Sequence, residues 1–165
     1  ALLLLLTTIT AISICLVQWN EATVVLERNW FVLGDYTITA GFYINNVTLV
    51  MVLIVSFISL MVHLFSSGYM AGDKFEKSYY TMLGFFTFCM LGLVLANNIL
   101  LLFVFWELVG FSSYTLIGHW REKNTAAKAA GKAFVINRIA DLGFIAAILI
   151  LFTQTNSFNL TEVTQ

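Results

Sequence analysis

One stretch limits what this chain can become: Leu100–Trp120, LLLFVFWELVGFSSYTLIGHW. It is long enough to cross a bilayer as a helix, and it holds a carboxylate, Glu107, in its interior. A charged side chain at the centre of a spanning helix costs about 2.5–3.5 kcal/mol on insertion scales. A partner charge, a water-filled pocket or protonation has to offset that cost. An acid in low dielectric has its pKa raised, and a nearby cation lowers it again. Moving the cation would therefore switch the acid between loaded and unloaded states. The bland alternative is a structural carboxylate paired with a base.

Composition extends the membrane reading to the whole chain. Of 165 residues, 60% are hydrophobic and 10% charged, with a mean hydropathy of +0.90. These values exclude an ordinary soluble domain. At roughly 20 residues per crossing there is room for about five spans. The apolar runs place them near 1–19, 44–65, 79–96, 100–119 and 125–152, in a single transmembrane region covering 1–165. The expected fold is all-α, a polytopic helix bundle. A net charge of −1 gives no reason to expect nucleic acid. Cys15 and Cys89 sit in apolar runs without CxxC spacing, so they read as small buried hydrophobes, and no metal site is expected. The chain starts at Ala1 inside an apolar run that lacks the marks of a signal peptide, and it ends on the polar TEVTQ. It reads as an internal piece of a larger membrane protein.

The connections give topology. Trp19 stands where an interfacial aromatic belongs, and the segment 20–43 is polar, with charges at Glu21, Glu27, Arg28 and Asp35. Its alternating Tyr36-Thr-Ile-Thr-Ala40 predicts a short β-hairpin lying on one membrane face. Asn97-Asn98 is so short a turn that spans three and four must be antiparallel neighbours. Lys74, Lys77, Arg121, Lys123 and Lys128 fall on one side, against Arg28 on the other. The positive-inside rule turns that basic side to the cytoplasm, or to the matrix of a mitochondrion, and the hairpin outward.

Span five differs from the rest because Lys128, Lys132, Arg138 and Asp141 occupy its first half. Lys128 and Lys132 share a face, as do Arg138 and Asp141. Lys128 can snorkel to the interface, whereas Lys132, one turn deeper, is expected to be buried. Arg138 and Asp141 could neutralise each other, or Asp141 could pass a proton at an inner mouth. Ala126 with Ala130 and Ala127 with Gly131 give small-xxx-small spacing that lets another backbone approach closely. His63, near the inner end of span two, can titrate close to neutral pH or simply pack through a hydrogen bond. His119 reads as an interfacial residue. Asn46-Val-Thr48 and Asn159-Leu-Thr161 match the glycosylation pattern weakly. No dinucleotide loop, Walker loop, Cys₄ set or haem-ligating His pair is present, so redox and ATP chemistry must happen elsewhere. The residues alone suit proton or cation movement.

Phe105-Trp-Glu-Leu-Val-Gly-Phe-Ser-Ser-Tyr-Thr-Leu-Ile-Gly118, followed by Lys132-Ala-Phe-Val-Ile-Asn-Arg-Ile-Ala-Asp141, resembles the antiporter-like subunit of respiratory complex I, chain L in bacteria and subunit 5 in mitochondria. Gly41-Phe-Tyr-Ile-Asn-Asn-Val-Thr-Leu-Val-Met51 and His63-Leu-Phe-Ser-Ser-Gly-Tyr-Met70 agree, so the resemblance covers nearly the whole chain. The chain departs from the family at Asn45, where Asp is usual, at Ala140, where Gly is usual, and at His119, where an aromatic is usual.

The resemblance implies that Glu107 is the central proton-carrying glutamate, facing a lysine on a later, broken helix outside this stretch. It implies that Lys132, Arg138 and Asp141 tune or connect the proton path, and that His63 matches a family histidine. Quinone reduction elsewhere in the complex would drive the shifts that load and release protons. NADH, flavin, iron–sulfur clusters and quinone would be bound by partner subunits, with no cofactor on this chain. Its partners would be the other membrane-arm subunits and the lipid bilayer, in a bacterial inner membrane or else a mitochondrial one. Two rivals stand: the large subunit of a multi-subunit cation/proton antiporter or related membrane-bound hydrogenase, and a structural scaffold whose charges only neutralise one another.

Overall fold

The computed structural model describes residues 2–19, 22–34 and 36–160. Glu21, Asp35, Thr161 and the TEVTQ tail, named above, lie outside the described residues. In order, the elements are α1 (Leu2–Gln18), β1 (Val24–Leu33), β2 (Tyr36–Ile44), α2 (Asn46–Tyr69), α3 (Glu76–Leu95), α4 (Ile99–Ile117) and α5 (Asn124–Thr155). Consecutive helices pack on one another, α1 on α2 through to α4 on α5.

By length and composition, α2, α3, α4 and α5 can each cross a membrane. The first of the expected spans, α1, is as apolar but has 17 residues. Large apolar side chains stay uncovered along the helices, Phe65 (71% exposed), Leu142 (66%) and Ile139 (65%) among them. Such an exterior is stable against lipid or another apolar protein surface, not against water. Cys89 is fully buried, as a small hydrophobe would be, whereas Cys15 is half-buried.

The helix ends follow from their sequence. Asn45 and Thr48 form a reciprocal capping box at the start of α2, each side chain taking the other's backbone N–H at 2.8 Å. The Asn that replaces the family's usual Asp thus still caps. Asn98 caps α4 by accepting from Leu101 N–H at 2.7 Å. Asn156, left-handed at φ 54°, ends α5 with its N–H on the Phe152 carbonyl.

The hairpin is longer than Tyr36–Ala40 alone suggests. β1 and β2 pair antiparallel from Val24↔Ile44 to Leu33↔Tyr36. Gly34 supplies the positive φ (61°) of the turn. Glu27 and Arg28 in mid-strand, and a register shift between Asn29 and Phe31, interrupt the period-two pattern that would have marked β1.

A polar knot ties this hairpin to the helices. Asn98 Nδ2 donates to the Thr39 carbonyl and Asn97 Nδ2 to Thr39 Oγ1 at 3.3 Å. Thr39 Oγ1 in turn donates to Asn159 Oδ1 at 3.2 Å. The backbone closes the knot through Ile99 N–H to Phe158 and Leu160 N–H to Asn97. Asn159 is therefore engaged in packing, and Asn46 lies in the first turn of α2, so neither glycosylation match sits on a free loop.

At the opposite end, the α2–α3 loop grips the α4–α5 loop. Asp73 accepts from Phe75 N–H (2.8 Å), Trp120 Nε1 (3.1 Å) and His119 Nε2 (3.3 Å), while Lys74 pairs with Glu122 at 3.1 Å. The Phe75 backbone N–H and then the Trp120 indole hold the Asp73 carboxyl below its usual pKa. A carboxylate with a lowered folded pKa stabilises the fold above its unfolded value and loses that contribution as pH falls through the folded one. The melting temperatures of wild type and Asp73→Asn should therefore differ at pH 5 and converge below about pH 4. A gap that persisted unchanged to pH 2 would contradict this.

Candidate functional site

The α4–α5 seam gathers the charges. Trp106, Glu107 and Gly110 lie within one turn of α4, and Phe134, Arg138 and Asp141 within two turns of α5, so each set shares a helix face. Close approach comes from small residues: Ala130 is buried, and a Cβ added to Gly118 would meet its methyl at 3.3 Å. This is the contact that the small-xxx-small spacing anticipates.

Across the seam Arg138 Nη1 pairs with Glu107 Oε2. On the other edge of the guanidinium, Nε faces Asp141 Oδ2 at 3.4 Å, both atoms buried and lacking the alignment of a hydrogen bond. Asp141 is fixed through its second oxygen, which accepts from Trp106 Nε1 at 2.9 Å. The guanidinium also lies 5.1 Å from the centroid of the Phe134 ring. Gly110 leaves it room, since a Cβ there would stand 2.9 Å from Nη2. A groove of about 150 Å³ opens beside the cluster, lined by Arg138 and Asp141 together with Trp106, Ser113 and Asn137. Its size suits a few water molecules, with Arg138, Asp141, Ser113 and Asn137 as their polar partners in a mostly apolar lining.

One cation therefore serves two carboxylates. With all three ionised the cluster carries one net negative charge, and a single proton on either acid makes it neutral. The acid that keeps its charge then holds the guanidinium more firmly. Proton uptake and Arg138 position are thus linked in this geometry.

Of the five residues marked in the sequence, Glu107, Arg138 and Asp141 come together here. Lys132 does not: its side chain is exposed and makes no ion pair among the described residues, because α4 does not cover that face of α5. The expectation of burial for Lys132 is corrected to that extent. Lys128 is exposed as well. His63 is buried on α2, its Nδ1 2.8 Å from the Ser59 carbonyl, within the α2–α3 seam. Within the described stretch the cation of Glu107 is Arg138, where the family pattern points to a later lysine. Trp106, Gly110 and Ser113 carried no signal in the sequence, since an aromatic, a glycine or a serine in an apolar run is ordinary span composition. Among the described residues no cluster of three or more His, Cys, Asp or Glu is placed to hold a metal ion.

Comparison with known proteins points the same way. Residues 30–80 match the family described as NADH-ubiquinone oxidoreductase (complex I), chain 5 N-terminus. Residues 96–165 match the family described as NADH:quinone oxidoreductase/Mrp antiporter, TM. The chain is 45% identical over 131 residues to NAD(P)H-quinone oxidoreductase subunit 5 of the Paulinella chromatophora chromatophore, covering 79% of this chain and 20% of that one. It is 42% identical over 134 residues to NADH-quinone oxidoreductase subunit L of Rickettsia typhi, covering 81% of this chain and 20% of that one. The chain thus spans about a fifth of the length of these relatives. Among solved structures, an archaeal membrane-bound sulfane sulfur reductase superposes with a TM-score of 0.80 over 98% of this chain and 32% of the other, at 22% identity. At that identity the likeness concerns the fold.

Proposed function

From the membership of this chain in the antiporter-like family of NADH:quinone oxidoreductase subunit 5 (chain L) and its relatives, we propose that it forms part of a proton-translocating membrane-arm subunit of such an oxidoreductase. The observation that carries the reading is the Glu107–Arg138–Asp141 cluster in the α4–α5 seam. Glu107 takes and releases the proton. Arg138 moves its charge between the two acids, and Asp141, anchored by Trp106, is the second acceptor. Lys132 and His63 extend the path toward neighbouring helices or subunits. Redox chemistry, with NADH, flavin, iron–sulfur clusters and quinone, belongs to partner subunits, and this chain supplies the proton step alone. The complex sits in a bacterial inner membrane, with the basic loops around Lys74 and Arg121 facing the cytoplasm.

A second reading has one observation in its favour: the family matched by residues 96–165 is described jointly with the Mrp antiporter. In that case the same cluster would exchange protons for cations without a quinone.

The test is Glu107→Gln in the full-length subunit within its complex, reconstituted in vesicles. NADH-driven quinone reduction and proton uptake are recorded together, with assembly checked on a native gel. Pumping should fall at least about tenfold in assembled complex, the size of effect expected when a positioned proton carrier is lost. Unchanged pumping and turnover would reduce Glu107 to a structural acid. Sodium-driven proton movement without quinone would favour the antiporter.

A further inference from the structure

The α2–α3 seam holds a second polar chain, away from the Glu107 cluster. Ser59, His63 and Thr87 are all buried where α2 meets α3. The donors can be assigned from their partners. Thr87 Oγ1 donates to its own Leu83 carbonyl at 3.0 Å, which commits its proton. Ser59 Oγ, 2.6 Å from Thr87 Oγ1, must therefore donate to it. His63 Nδ1 lies 2.8 Å from the Ser59 carbonyl, an oxygen that can only accept, so Nδ1 carries a hydrogen. Every proton in the chain is spoken for, and Nδ1 cannot serve as a base without breaking it. In the neutral ring the free lone pair is then on Nε2.

We propose that Ser59 and Thr87 are positioning residues for His63, fixing its ring so that Nε2 is the atom that takes up and gives back a proton. Neutral imidazole gains a proton at Nε2 to become imidazolium and returns it from the same atom, while Nδ1–H stays on the Ser59 carbonyl. Because Thr87 belongs to α3 and the ring to α2, the orientation depends on the two helices remaining in register. A slide of one along the other would part the Ser59–Thr87 hydroxyls and free Ser59 Oγ, 3.5 Å from Nδ1, to donate to that nitrogen instead. The Nε2–H tautomer would then be favoured, and the ring would lose its proton acceptor at Nε2. The inference rests on the proton-translocating reading and adds a tautomer control to it.

The titratable surroundings are sparse. From α3, Tyr80 approaches the ring at 6.1 Å between centroids, and Glu76, one turn before Tyr80, is the charged group on that face. Across α1 the only titratable side chain is Cys15, and β2 contributes tyrosines alone. A shift in His63 titration would therefore be read against little background.

The experiment is the pH profile of proton pumping by the intact complex carrying Thr87→Val, an isosteric change that removes the hydroxyl. A Ser59 hydroxyl freed to donate to Nδ1 competes with the bond from Nδ1–H to the Ser59 carbonyl and so disfavours imidazolium. The limb of the profile that depends on His63 should thus move to lower pH, by about half a unit or more. Thr87→Ser should restore the wild-type profile. In a His63→Gln background Thr87→Val should add no shift. If Thr87→Val does not assemble, Thr87→Ala carries the same expectation, whereas Ser59→Ala, which keeps the carbonyl and removes the competing hydroxyl, should leave the limb in place, and a fall to lower pH there would overturn the proposal. A lowered amplitude with an unshifted profile would overturn the proposal, because it is what mere loss of packing gives. Pumping lost in Glu107→Gln together with an unshifted Thr87→Val profile would sink this inference alone, whereas intact pumping in Glu107→Gln would sink the reading beneath it.

Discussion

Arg138→Met should be among the most damaging single changes in this chain, with a loss of about 2–3 kcal/mol, below the range of about 3–5 kcal/mol for a fully buried pair because Arg138 and Glu107 stay 32% and 25% exposed. The size follows from what remains. Glu107 and Asp141 would face each other across the seam with no cation between them. Trp106 satisfies one oxygen of Asp141, and among the described residues Glu107 has no such indole donor. Either one acid binds a proton permanently or α4 and α5 separate there. Arg138→Lys should be intermediate, since an ammonium can neutralise one carboxylate but has no planar fork to span two. Adding Glu107→Gln to Arg138→Met should recover part of the loss, because Asp141 alone still has its indole partner. Thermal melting in detergent and the assembled fraction on a native gel measure all three. Equal stability of Arg138→Met and wild type would mean that the cluster is not held by its charges.

That cluster was only partly legible in the sequence. Glu107 announces itself, because a carboxylate inside an apolar run needs an explanation. Arg138 and Asp141 also announce each other, being one turn apart on one helix. What the sequence hides is that the guanidinium serves both acids. That depends on the rotation of α5 about its axis relative to α4, which no periodicity on either helix specifies. Trp106 and Gly110 become readable only once that rotation is fixed, one as the indole donor to Asp141 and the other as the gap into which Arg138 fits. Lys132 shows the reverse: depth along a helix does not decide burial, because the covered face is set by the neighbour. The spans themselves were readable because apolar runs of bilayer length have few other uses. β1 was hidden by its charged middle and its bulge.

Asn98→Ala should cost about 2–4 kcal/mol, far more than an ordinary cap substitution. An N-cap replacement by itself accounts for about 1 kcal/mol, the loss of the bond that Leu101 N–H makes to the side chain. The rest comes from burial. Asn98 is 0% exposed and Asn97 1%, so water cannot replace the bonds that are lost. The Thr39 carbonyl would be left without the amide that reaches it from Asn98, at the point where hairpin and helices join. Asn98→Asp separates the two contributions: it keeps an oxygen for Leu101 N–H but offers no hydrogen to Thr39. If the cap dominates, Asp should behave like wild type; if the knot dominates, Asp should fall close to Ala, with its charge buried in addition. The knot is the expected winner, because α4 begins at this residue. The axial position of α4, and with it the height at which Glu107 meets Arg138, is set by the tie between Asn98 and the hairpin. Asn98→Asp should therefore weaken proton pumping as well as stability, although it lies about two and a half turns from the acid. Full pumping in a destabilised Asn98→Asp complex would show that the α4–α5 seam fixes its own register.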